Sequence, residues 1–249
     1  MTLLFGMQKT AGVSSAVQAI PLDRLALTFL PVLVVVYVLY RWSLGAGTTL
    51  YAMGRMLVQL LLIGYVLLAI FTTESPSLVG GVLAVMLLLA SWIALRPLRS
   101  KDGRQYLKAL GSIALGGVLT LLLVTQYVID TQPWFNPSKV IPLAGMIFAN
   151  SMNAVSLAAE RFYSELPKAT SYEEARSSAL RAALIPMTNS LFAVGLVSLP
   201  GMMTGQILSG IDPLIAARYQ IMVMAMLFGS AGISAACYLA LVKPTDDVA

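Results

Sequence analysis

Charged side chains divide the chain into long apolar stretches. No Asp, Glu, Lys or Arg occurs within 25–40, 56–73, 75–95, 109–129, 140–159, 182–211 or 219–242. A helix rises about 1.5 Å per residue, so roughly 20 residues cross a hydrocarbon core of about 30 Å. Six of the seven stretches are as long as a span requires. The first is shorter, and Arg41 and Trp42 extend it by snorkelling and by seating an indole among the headgroups. The pattern predicts an all-α, polytopic membrane protein with about seven transmembrane helices. Seven buried helices with almost no polar face have no counterpart in a water-soluble core.

Lys and Arg set the expected orientation. With the amino terminus outside, the inner loops carry Arg41, Arg55, Arg96, Arg99, Lys101, Arg104, Lys108, Arg161, Lys168, Arg176, Arg181 and Lys243. The outer side keeps Lys9, Arg24, Lys139 and Arg218. Twelve against four is a positive-inside bias that places the carboxy terminus in the cytoplasm and the chain in a plasma membrane such as the bacterial inner membrane. The net charge of +5 is then accounted for by anionic lipid and a cytoplasmic partner, without nucleic acid. Residues 1–24 lack the basic start and long apolar core of a signal peptide and read as an interfacial or disordered segment. Residues 25–242 form one membrane domain, and 243–249 a cytoplasmic tail. The outer loops are short, around Glu74, from Gln132 to Pro137, and around Asp212.

Composition excludes several chemistries. There is no histidine and a single cysteine, Cys237, which removes His-based triads, the commonest metal ligand and any intrachain disulfide. No phosphate-binding loop of the G-x-x-x-x-G-K-[ST] type occurs. The second to seventh stretches hold no ionisable relay of the sort that ion-coupled carriers use. A stand-alone carrier or channel, and still more a membrane-embedded enzyme, is disfavoured; energy for active transport has to come from another chain.

Neutral polarity remains. Gln59 lies within the second stretch; Asn150, Ser151 and Asn153, with Met152 among them, lie in the fifth; Thr188, Asn189, Ser190 and Gln206 lie in the sixth. Asn150 and Asn153 share a helix face. Buried amides in lipid need partners, either across helices or along a polar pathway. Gln59, Asn150, Met152, Asn153 and Asn189 are therefore candidate pathway residues. The sixth stretch is too long for one straight crossing and contains Pro186 and Pro200-Gly201. It is expected to break there, with 198–210 folding back near the outer face as a gate or pathway wall; Pro200, Gly201, Met202 and Met203 join the candidates. Thioethers such as those of Met202, Met203, Met222, Met224 and Met226 bind soft metals, although methionine in a lipid setting mostly packs.

The longest polar segment is 160–181. Thr170 and Ser171 followed by Glu173 and Glu174 make a capping-box pattern, and the alanines among arginines beyond it favour helix. The pattern predicts a cytoplasmic helix leading into the sixth span, either as a docking helix for a partner or as the solvated start of that span. Glu160, Arg161, Glu165, Ala169, Thr170, Glu173 and Glu174 are the candidate partner-coupling residues. The basic loop 96–108 serves topology.

The segments GRMLVQLLLIGYVL (54–67), VIPLAGMIFANSMNA (140–154) and RAALIPMTNSLFAVGLVSLPGMMTGQILSGIDPLIAARYQIMV (181–223) resemble the FetB-type permease family of bacterial iron-export permeases and plant aluminium-sensitivity membrane proteins. The resemblance covers about 25–242. Leu199-Pro200-Gly201-Met202-Met203 followed by Gly210-Ile211-Asp212-Pro213 carries it most specifically. It implies the membrane subunit of an ABC transporter, working as a permease homodimer with a separate cytoplasmic ATPase. ATP and Mg would be bound on that partner, and no cofactor on this chain. It also implies metal export as the leading cargo class, with a sugar nucleotide proposed for plant members. Leu166-Pro167-Lys168-Ala169-Thr170 departs from the Leu-Gly-Ala-Thr-like stretch frequent in the family.

Overall fold

Proline and short polar caps set where the helices begin. Pro76, Pro137 and Pro213 each occupy a first helical position, where the missing N–H costs no hydrogen bond. Asn136 accepts from the Ser138 amide (3.2 Å), and Asp212 accepts from the amides of Leu214 and Ile215 (2.8 and 3.3 Å). The computed structural model describes residues 20–71, 75–98, 102–168 and 171–242. The amino-terminal segment up to residue 19 and the tail 243–249 lie outside the described residues, as do Glu74, Ala169 and Thr170.

The elements are α1 (Leu22–Leu27), α2 (Leu30–Arg41), α3 (Ala46–Phe71), α4 (Pro76–Ala94), α5 (Gly103–Leu122), α6 (Pro137–Glu165), α7 (Tyr172–Ala193), α8 (Gly201–Leu208) and α9 (Pro213–Leu241). A π-helical turn, Leu123–Val128, closes α5. The described residues contain no strand, so the fold is all-α as the charge pattern predicts. The chain divides into two units, with the boundary between Val66 and Leu67. In the first unit, α1 and α2 bury no residue, the condition of apolar helices solvated by lipid.

The second unit is a bundle in which α6 and α9 are central. The α6 helix packs against α4, α5, α7 and α9; α9 also contacts α5, α7 and α8. Small residues permit the close approach, as is usual between membrane helices. Ser112, Gly116 and Gly117 of α5 are buried, as are Ser230, Ala231, Ser234 and Ala235 of α9. Three buried hydroxyls bond back to their own helices: Ser91 to Leu87 O (2.8 Å), Ser112 to Lys108 O (2.7 Å) and Thr125 to Leu121 O (2.8 Å). That satisfies them where no water is present.

Six helical segments among the described residues are long and apolar enough to cross a membrane: Leu22–Arg41, Ala46–Gly64, Pro76–Ala94, Gly103–Val128, Pro137–Glu165 and Pro213–Leu241. The sixth expected span, 182–211, is not one helix. Its first part belongs to α7, the chain turns between Val194 and Pro200, and α8 follows. Pro186 does not interrupt α7, contrary to the expectation for that residue. The break falls after Ala193, where Gly195 takes a φ of +83° that a side chain would strain. The apolar part of α7 and α8 are each too short to cross alone at about 1.5 Å per residue, as expected of a discontinuous span.

Candidate functional site

Three features of the second unit carry polar or reactive groups. The first is the tip of the α6–α7 hairpin. Both helices run well into the polar segment: α6 ends at Glu165 and α7 begins at Tyr172, so 160–181 is mostly helical. Ser171 caps α7, accepting from the Glu174 amide (3.2 Å), with Glu173 and Glu174 in the first turn where the helix dipole favours acids. The α7 helix then continues unbroken into the apolar region. As expected, a helix leads from the polar segment into the apolar region of the sixth stretch.

Arg161 ties the hairpin. Its guanidinium lies 3.2 Å from Glu165 one turn on, and its Nε donates to Ser178 of α7 (3.5 Å). Phe162, fully buried, meets Tyr163 and Tyr172 edge-on at 5.5 and 5.8 Å. The Tyr172 hydroxyl donates to Leu239 O of α9, and Gln105 of α5 donates to the Tyr163 hydroxyl (3.1 Å). Four helices are locked together immediately beneath the tip. Above that lock Glu160, Glu173 and Glu174 are exposed, and Glu165 is half-buried. A polar groove of about 590 Å³ opens along α7, walled by Arg161, Glu174, Ser177, Ser178 and Arg181. Of the expected coupling residues, the structure gathers Glu160, Arg161, Glu165, Glu173 and Glu174 at this tip; Ala169 and Thr170 lie outside the described residues.

The second feature is the set of asparagines on α6 and α7. Asn150 is half-buried and donates to Met146 O of its own helix (2.9 Å). Asn153 on α6 and Asn189 on α7 are exposed, and Met152 is half-buried. Gln59, the remaining expected pathway residue, is an exposed residue of α3 in the first unit and is not part of this feature.

The third feature is the broken span. Pro200 sits at the start of α8, followed by Gly201, Met202 and Met203. Two apolar chambers flank this helix. One, about 410 Å³, is lined by Lys139, Pro142, Met146, Met202, Tyr219 and Met222, among others. The other, about 440 Å³, is lined by Leu191, Gly195, Met203, Gln220, Ile221 and Met224, among others. The consecutive residues Met202 and Met203 thus serve different chambers. Sequence reasoning missed Gln220 and Lys139 as wall residues. Gln220 is the one amide in the stretch 219–242, and that was the available signal.

The sequence that builds these features matches a known family. The sequence model of the uncharacterised protein family UPF0014 matches residues 22–245. The chain belongs to the UPF0014 family. It is 38% identical over 200 residues to a UPF0014 membrane protein of Synechocystis sp., covering 73% of this chain and 76% of that one. It is 37% identical over 237 residues to the probable iron export permease protein FetB of Escherichia coli, covering 87% and 89%. It is 30% identical over 220 residues to the protein ALUMINUM SENSITIVE 3 of Arabidopsis thaliana, covering 82% and 79%. No solved structure matches. With its apolar helices and relatives of this kind, this UPF0014 chain is a multi-pass membrane protein.

Proposed function

We propose that this UPF0014 protein is the membrane-spanning permease subunit of an ATP-driven exporter of metal, iron or a related hard cation, free or chelated. The observation that carries this reading is the likeness to the probable iron export permease over 87% of the chain. The described residues hold no group of three or more His, Cys, Asp or Glu able to cage an ion. That suits a route in which cargo passes neutral oxygens and is released, since conduction requires weak sites.

The functional unit is a dimer with the amino terminus outside and the carboxy terminus in the cytoplasm of a plasma membrane. Asn153 and Asn189 support the dimer: both are exposed in apolar helical stretches, and lipid offers an amide no partner. A second copy, with a polar path between the two, does. The hairpin tip is the contact for a cytoplasmic ATPase. Its exposed acids and groove are rigidly joined to α5 and α9 through Tyr163, Gln105, Tyr172 and Leu239, so displacement of the tip moves the bundle. ATP, bound with Mg on the partner, supplies the free-energy difference between inward- and outward-open states.

The test is reconstitution in vesicles with and without the ATPase. ATP-dependent iron movement is expected only with both chains. Glu173→Lys is expected to abolish coupled transport while the permease still folds. Iron movement by the permease alone, driven by a proton gradient or membrane potential, would replace this reading with a stand-alone carrier.

A further inference from the structure

The groove along α7 is ordered by polarity. On that helix it is lined by Glu174, Ser177, Ser178, Arg181, Ala182 and Ile185, positions that recur at helical spacing and share one face. Arg161 of α6 completes the wall. Arg181 is the last charged residue before the uncharged stretch 182–211, so it marks the edge of the hydrocarbon core. Ile185, 55% exposed, lies about one turn inside that edge. Glu174 lies two turns, about 10 Å, outside it. From the membrane outwards the groove presents an apolar foot, a guanidinium, two hydroxyls and a carboxylate. Arg161 is already engaged, with Glu165 (3.2 Å) and with Ser178 (3.5 Å). Arg181 has no ion pair among the described residues, so its donors are the ones left for an anion.

We propose that this groove binds the headgroup of a zwitterionic phospholipid with a primary ammonium, of the phosphatidylethanolamine class. Such a lipid carries its groups in the same order: acyl chains, then phosphate, then ammonium. Ala182 and Ile185 meet the chains. Arg181 takes the phosphate, which a guanidinium grips through two parallel N–H bonds. Ser177 supplies a further donor. Glu174 accepts the ammonium, and a carboxylate has room for several such bonds. Basic pockets between membrane helices hold lipid headgroups; the carboxylate beyond the guanidinium is what gives this one its selectivity. An anionic headgroup without an amine gains Arg181 but meets repulsion from Glu174. The site rests on the groove and on the membrane edge at Arg181. It is tested on the permease alone, apart from ATP-driven export.

The experiment measures lipid retention by the full-length chain in detergent, using native mass spectrometry. Phosphatidylethanolamine, phosphatidylcholine and phosphatidylglycerol with identical acyl chains compete at equal concentration. The ethanolamine lipid is expected to be retained roughly tenfold over the other two, since choline has no N–H to donate and glycerol no positive charge. Arg181→Gln should weaken retention of all three roughly tenfold. Glu174→Gln should remove the preference for ethanolamine while leaving retention through the phosphate. Arg176→Gln removes a guanidinium that lies over the Tyr172 ring (5.5 Å) and is not part of the groove, and it should change neither. All three positions are exposed, so these variants are expected to fold, and each is checked by gel filtration. Excess inorganic phosphate should fail to displace the lipid, because it has no chain to seat against Ile185. The proposal is overturned if the three lipids are retained equally, if Arg176→Gln acts like Arg181→Gln, if the preference survives Glu174→Gln, or if inorganic phosphate displaces the lipid.

Discussion

Gly116 shows how one atom decides helix spacing here. A Cβ at this position would lie 2.8 Å from Ser230 O and 2.9 Å from Ser234 N, and closer still to Ser234 Oγ. The first two are backbone atoms of α9 and cannot rotate away. Gly111, five residues earlier on the same helix, has nothing within 4 Å. Glycine in a helix interior is about 1 kcal/mol worse than alanine, so the same substitution should have opposite signs at the two sites. Gly111→Ala is expected to raise the thermal midpoint slightly. Gly116→Ala should lower it, at a cost of about 1–3 kcal/mol from overpacking. Thermal unfolding of the two variants in one detergent checks both signs; equal effects would mean that α5 and α9 do not touch at Gly116.

Among the elements, the α7–α8 break is the one whose conformation depends on glycines. Gly195 and Gly210 bracket it with φ of +83° and +88°. Neither Cβ would meet another atom, so the cost of alanine there is purely conformational, about 1–2 kcal/mol at each site. The two lie at opposite ends of the segment, so Gly195→Ala and Gly210→Ala should add nearly independently in the double variant, as read by thermal unfolding. Strong non-additivity would indicate that the segment re-forms as a different structure. Much of this region was legible beforehand. The Pro200-Gly201 pair marked the break, and the spacing from Ser171 to Glu174 marked the start of α7, because caps and helix starts are local chemistry. Pro186 misled because a proline inside a membrane helix is tolerated: it removes only the bond that its own N–H would make to the Ala182 carbonyl, and α7 continues through it. A census of charges measures the distance between them but cannot register a turn made by uncharged glycine. Hence the sixth span, expected to break at Pro186 and at Pro200-Gly201, is found divided by a turn that begins earlier, after Ala193. The chambers beside α8 were illegible for a related reason: residues of α8 and α9 line them jointly only once α8 lies on α9.

For the whole molecule, α6 converts the charge asymmetry into a test. It runs 29 residues, from Pro137 to Glu165, about 43 Å at a helical rise, which exceeds the roughly 30 Å hydrocarbon core. Residues just beyond its two ends must therefore face opposite aqueous compartments. Gln132, before the helix, and Ser164, in its last turn, are both exposed. The polar segment at the carboxy-terminal end of α6 carries Arg161, Lys168, Arg176 and Arg181, whereas the other end has Lys139 and, beside Ile129, Arg218. The asymmetry of Lys and Arg acts during insertion by retaining positive segments in the cytoplasm, and the proposed orientation rests on it, with the hairpin tip on the cytoplasmic side. In a Cys237→Ser background, Ser164→Cys should react with an impermeant maleimide only after the cytoplasmic face is opened, and Gln132→Cys should react in intact cells. Reversal of both labels would invert the orientation and place the tip out of reach of any cytoplasmic ATPase. Labelling of both from one side would mean that α6 does not span the membrane, and the bundle built around it would not be a transmembrane one.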